Sequence, residues 1–240
     1  MRFPIAVCLV LCVAPLAAQQ HVHDASVASE PHDAAPQPVI LSEAKDRSPH
    51  LRLTPTRVPT AADSARGDSL LRIAREAVSR YRSVEAAEAD GYKVRIKAMK
   101  QAKVLHYTSL ANGFRARSGF DPARPTSLLY ERDAGGQLQL IGVMYTVPAT
   151  ATLEELDARV PLGLVQWHLH TNICLPRSRD QYQAADFVGR NARFGPRGSI
   201  ATEAACTAAG GRFKAQSFGW MVHVNLMTDD PWGPGQKHMH

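Results

Sequence analysis

Residues 162–175, LGLVQWHLHTNICL, decide how this chain folds. Side chains along a strand point alternately to opposite faces. One face here carries Val165, Trp167, Leu169, Thr171, Ile173 and Leu175, and the other carries Gln166, His168, His170, Asn172 and Cys174. An apolar face opposite a polar one, at a period of two, predicts a half-buried strand of an antiparallel sheet. The division recurs in SFGWMVHVNLM (217–227): Phe218, Trp220, Val222, Val224 and Leu226 share one face, and Gly219, Met221, His223, Asn225 and Met227 the other.

Working outward, four more runs read as strands: YKVRIKA (92–98), KVLHYTS (103–109), TSLLYER (126–132) and QLQLIGVMYTVP (137–148). Asp133 to Gly136, DAGG, joins the last two as a hairpin turn. Helical spacing begins near Asp68, a capping residue, and runs through Leu70, Leu71, Ala74, Ala77, Val78 and Tyr81. A shorter helix starts at Ser83, places Glu85 in its first turn and stops at Gly91. TLEELDARV (152–160) opens with a capping box of Thr152 and Glu155, and SIATEAACTAAGG (199–211) is a helix capped by Ser199. The expected fold class is α+β: a mainly antiparallel sheet with helices packed on one side, as a single domain over residues 66–240.

The first residues, MRFPIAVCLVLCVAPLAAQQ, set one positive charge before an apolar run and then small residues, the layout of a signal peptide over residues 1–18. That run is shorter than the roughly 20 residues a bilayer-spanning helix needs, and no later run comes closer. The expectation is an exported protein, periplasmic or extracellular, without an integral membrane span. Residues 19–65 are rich in Pro, Ala, Ser, Asp and His without a sustained period, which predicts a disordered tether. Loss of the leader removes Arg2 and no acid, so 27 basic side chains face 22 acidic ones and the formal charge is +5. The arginines at 66, 72, 75, 80 and 82 suit a solvated helix face, and no basic cluster is interleaved with aromatics, which argues against nucleic acid as a partner. Cys8 and Cys12 leave with the leader, so Cys174 and Cys206 form an even pair, most simply a disulfide. Closing a loop of about 30 residues is worth roughly 3 to 4 kcal/mol by the chain-entropy estimate.

RYRSVEAAEADGY (80–92), HY (106–107), FDPARPTSLLYE (120–131) and GQLQLIGVMYTVP (136–148) together resemble a family of exported bacterial proteins that has no established activity. The resemblance covers most of residues 75–227 and implies one coherent domain. It implies no functional residue.

The chemistry therefore rests on the histidines. If the two histidine strands are neighbours, His168, His170 and His223 converge, because paired positions lie about 5 Å apart and diagonal ones about 7 to 8 Å. His106, in KVLHYTS, is a fourth ligand or a supporting group if its strand is close. Neutral imidazole suits copper or zinc, and three histidines with an open position form a catalytic type of site. Such an ion would acidify a water or bind oxygen, giving a hydrolase or an oxidoreductase. Asn172 and Asn225 would orient that water or a substrate. Cys174 shares the face of His170, so it is a soft ligand if it is not in the disulfide.

The same residues also fit a metal-free ligand-binding or interaction module of the cell envelope, whose polar sheet face and Trp232 loop grip a small molecule. A pH-responsive structural domain, with histidines paired to acids, is a third reading. The terminal pairs stand apart. His21 and His23 would offer an amino-terminal Cu(II) or Ni(II) chelate once the leader is cut, and His238 and His240 would reach the site if DDPWGPGQ folds the tail back. No G-x-S-x-G elbow, phosphate-binding loop or H-E-x-x-H helix occurs.

Overall fold

The computed structural model describes residues 40–42, 48–95, 100, 102–177, 186 and 191–232. Its strands in chain order are Ile40–Ser42 (β1), Leu51–Leu53 (β2), Thr56–Arg57 (β3), Val104–Thr108 (β4), Ser127–Arg132 (β5), Leu138–Val147 (β6), His168–Pro176 (β7) and Gly211–Asn225 (β8). β1 pairs with β3, and the other six form one antiparallel sheet in the order β2-β7-β8-β6-β5-β4. The two alternating histidine runs are thus neighbours, and LIGVMY lies on the interior strand β6, paired on both sides.

The helices are Ala61–Val78 (α1), Val84–Ala89 (α2), Leu110–Arg115 (α3), Leu153–Arg159 (α4) and Glu203–Ala208 (α5). Leu70, Leu71, Ala74 and Val78 of α1, Ala87 of α2 and Leu156 of α4 pack against Leu128, Tyr130, Val143, Tyr145, Leu169, Val222 and Val224 of the sheet and against Trp167 just before β7. Each fully buried side chain of this size contributes about 1.5 to 3 kcal/mol, so this face is where the fold is held together. The architecture is the expected α+β sheet with helices on one side, and the described residues fall in one compact unit. Among the described residues, no helix is long and apolar enough to cross a membrane.

Local signals account for several boundaries. Ser83 caps α2, and Thr152 with Glu155 makes the reciprocal capping box of α4. The DAGG turn closes through Gly136 N–H to the Asp133 carbonyl at 3.0 Å and Asp133 N–H to the Gln137 carbonyl at 2.9 Å.

Other expectations need correction. Helix α1 begins at Ala61, not near Asp68, because Thr60 and Asp63 form a capping box two turns earlier, in a stretch too polar to show apolar spacing. The expected tether boundary at residue 65 therefore falls inside α1, and β2 and β3 lie before it. Three residues are too few for β2 to display a period. It is held instead by long-range bonds: Thr54 N–H to the Trp167 carbonyl at 2.9 Å, Trp167 N–H to the Thr54 hydroxyl at 3.0 Å, and the Gln166 amide to the Thr54 carbonyl at 3.0 Å. Strand β7 starts at His168 rather than 162, since Leu164 and Val165 N–H turn back onto the Pro161 carbonyl. Of YKVRIKA, Lys93 makes an isolated bridge to Thr108, and residues 96–98 lie outside the described residues. Helix α5 is capped by Thr202 and not by Ser199. The expected leader, most of the expected tether, and the pairs His21/His23 and His238/His240 also lie outside the described residues.

β8 departs most from its reading. It begins at Gly211, and its pairing to β7 shifts between His168↔Met221 and His170↔Ser217. Phe218 occupies the extra length, with φ of 65° and 69% exposure, so it leaves the apolar face assigned to it. Gly219 next to it passes so close to β6 that a Cβ would meet the Val147 carbonyl oxygen at 1.9 Å. This crowding permits only glycine where β8 turns from β7 toward β6.

Candidate functional site

The sheet face away from the main core holds a second, small apolar cluster: Val104, Leu129, Met144 and Met221, with Ile141 packed against them. Four histidines stand among these side chains. His106 comes from β4, His168 and His170 from β7, and His223 from β8. His223 pairs with Met144 across β6, and His168 pairs with Met221 across β8, which puts His168 and His223 on a diagonal.

The rings form a contiguous chain. Ring centroids are 5.3 Å apart for His106 and His223, 5.1 Å for His168 and His223, and 5.5 Å for His168 and His170. The Nε2 atoms of His106 and His223 approach to 3.3 Å. β4 and β8 are three strand spacings apart, about 14 Å along a flat sheet. Leaning side chains and the curl of a twisted sheet toward the histidine face together close that distance.

Enclosure changes the chemistry of these rings. His168 is 5% and His223 2% exposed. Burial, followed by the nearby charge that His170 can carry, lowers the His106 imidazole to about 4. At neutral pH His106 is consequently uncharged, the form in which imidazole offers a lone pair to a metal. Two nitrogens bound to one tetrahedral ion at about 2.0 to 2.1 Å lie about 3.3 to 3.4 Å apart. The His106 and His223 nitrogens stand at that spacing. Among the described residues, however, no group of three His, Cys, Asp or Glu side chains is arranged to hold a metal ion.

The asparagines have other work. Asn172 donates to the Pro49 carbonyl at 2.8 Å, and Asn225 accepts from Met227 N–H at 2.9 Å, so both amides hold backbone rather than face the rings. Asn172 also has φ of 55°, which interrupts the alternation of β7. Cys174 is bonded to Cys206, with Cα atoms 5.5 Å apart, and so is not a ligand. The bond ties the far end of β7 to α5, where Phe194, Ile200 and Phe213 cover it. Trp232 packs against the main core on the helix face, away from the histidines.

Three residues of this region were not singled out from sequence. Met144 and Met221 read as ordinary members of strand runs, and only the pairing shows them facing histidines. His50, from the expected tether, is 3% exposed, with Nδ1 at 3.0 Å from the Asn172 carbonyl and Nε2 at 2.6 Å from that of Gly198. His50 pins the lead-in of β2 to β7 rather than joining the ring cluster. A buried-strand signal for it was available in HLRL (50–53), but at a length too short to separate from coil. No family model, curated protein or solved structure matches this chain.

Proposed function

We propose that this chain is an exported domain that binds one transition metal ion, copper or zinc, through His106, His168, His170 and His223. The carrying observation is the 3.3 Å separation of the His106 and His223 Nε2 atoms, from strands three spacings apart. That distance is long for an N–H···N hydrogen bond and matches two ligands of one tetrahedral ion. His168 lies diagonal to His223, with ring centroids 5.1 Å apart, which puts a third imidazole beside the same position. A neutral, half-buried His106, paired with Leu129 of the apolar cluster, supports the reading further.

A second reading, the metal-free binding module, is favoured by the lack of a ready three-residue group among the described residues. Metal analysis of the purified chain separates the two. One equivalent of copper or zinc, lost in His106→Ala/His223→Ala and in His168→Ala/His170→Ala, is the expected result. Metal content near zero in the parent after loading with either ion, or unchanged in both variants, refutes it.

A further inference from the structure

The wall of the histidine cluster carries sulfur. Met144 and Met221 are 7% and 6% exposed, and they are the only methionines among the core residues of the described chain. Both belong to the four-residue cluster on the histidine face. Their positions are specific: Met144 is the partner of His223 across β6 and β8, and Met221 is the partner of His168 across β8 and β7. Directly paired residues on adjacent strands hold their Cβ atoms about 4.5 to 5.5 Å apart, within reach of a flexible thioether. Each of two central imidazoles thus has a thioether as its cross-strand neighbour.

This donor set is selective. Thioether sulfur is soft and binds Cu(I), whereas zinc prefers imidazole, thiolate and carboxylate. Cu(I) also loses less than a divalent ion on entering an apolar enclosure lined by neutral donors, because the cost of burying a charge rises with its square. We infer that the site takes monovalent copper, with the sulfurs of Met144 and Met221 joining the histidine nitrogens as ligands. This rests on the metal-binding reading above and specifies the ion and two further ligands.

The test uses the purified chain with its disulfide intact. Cu(I) is supplied anaerobically with ascorbate against a chromophoric Cu(I) chelator, Ag(I) serves as a redox-inert substitute, and Zn(II) and Cu(II) are titrated separately. Expected are one Cu(I) per chain, sulfur among the nearest scatterers in the copper X-ray absorption spectrum, and competition by Ag(I). Met144→Leu/Met221→Leu keeps apolar volume, and should weaken Cu(I) by at least roughly tenfold, the loss even a supporting residue around a metal causes. Zn(II) binding should not change. A parent spectrum with nitrogen neighbours alone, or equal Cu(I) affinity in a folded double variant, overturns the inference while histidine-dependent binding of Zn(II) or Cu(II) leaves the metal-binding reading standing. A parent that binds none of the four ions overturns both. The parent spectrum decides the matter even if the double variant does not fold.

Discussion

A Cβ on Gly211 would lie 2.4 Å from the Cys174 sulfur and 2.7 Å from that of Cys206, so the crosslink leaves no room for a methyl group. Gly211→Ala should therefore cost about 1 to 3 kcal/mol in urea unfolding, as other overpacked sites do. Once the disulfide is reduced the sulfurs can turn away, and the gap between variant and parent should narrow. An equal gap in both redox states would contradict this account. His106 makes a different kind of prediction. Its pKa in the folded chain, about 4, lies below the ordinary value near 6.5. The unfolded chain then binds the extra proton first, so His106 contributes stability above pH 6.5 that is lost as pH falls toward 4. The shift corresponds to up to about 3 kcal/mol. In the metal-free protein, urea midpoints taken between pH 7 and 4 should fall, and His106→Phe should flatten the slope. At this scale the sequence named all four clustered histidines, because each occupies a polar position of an alternating strand. It could not assign Asn172 and Asn225, whose amides bond to backbone atoms that only the folded turns bring near.

Among the elements, α1 depends on a group that lies before it. Arg57 of β3 forms an ion pair with Asp63, and also donates to Asp157 of α4 at 2.7 Å. Asp63 in turn accepts from Thr60 N–H at 2.8 Å, completing the cap. The Arg57 guanidinium, outweighing the opposing effect of burial, holds the Asp63 carboxyl well below the usual carboxylate range. Asp63→Ala should cost about 3 kcal/mol, near the lower end for a broken buried pair, since Asp157 still faces Arg57. The same carboxylate contributes stability above the ordinary aspartate range that is lost as pH falls below about 4. Its effect thus begins where that of His106 ends, and Asp63→Asn should remove the acid limb of the stability curve without changing the limb between pH 6.5 and 4. The start of α1 was legible in the Thr60-Ala-Ala-Asp63 spacing, yet an apolar-period reading passes over it because both turns are polar. The caps at Ser83 and Thr152 are legible in the sequence, since those signals span three residues and need no distant partner.

For the whole molecule, the N-terminal segment decides whether β7 is an interior strand. β2 covers its outer edge at Leu51↔His170, Arg52↔Leu169 and Leu53↔His168. A chain begun at residue 66, where the composition suggests a boundary, loses β2, Arg57 and the Thr60 cap, and leaves the histidine strand as a bare edge. It should unfold at markedly lower urea and tend to associate. A chain begun at residue 48 should stay within about 1 kcal/mol of the full one, and equal stability of the two truncations would refute the assigned role of β2. The sequence by itself determined the central parts of β4 to β8 and most of their faces, the DAGG hairpin, two helix caps and the cysteine pairing. These follow from spacings of two to four residues, or from counting. Only the tertiary structure decided that β2 belongs to the sheet, that β8 bulges at Phe218, and that His106 meets His223. Those outcomes depend on pairing between strands far apart in the chain and on the curl of the sheet as a whole. No window of sequence contains either, because curl is the sum of twist over six strands packed on a common core.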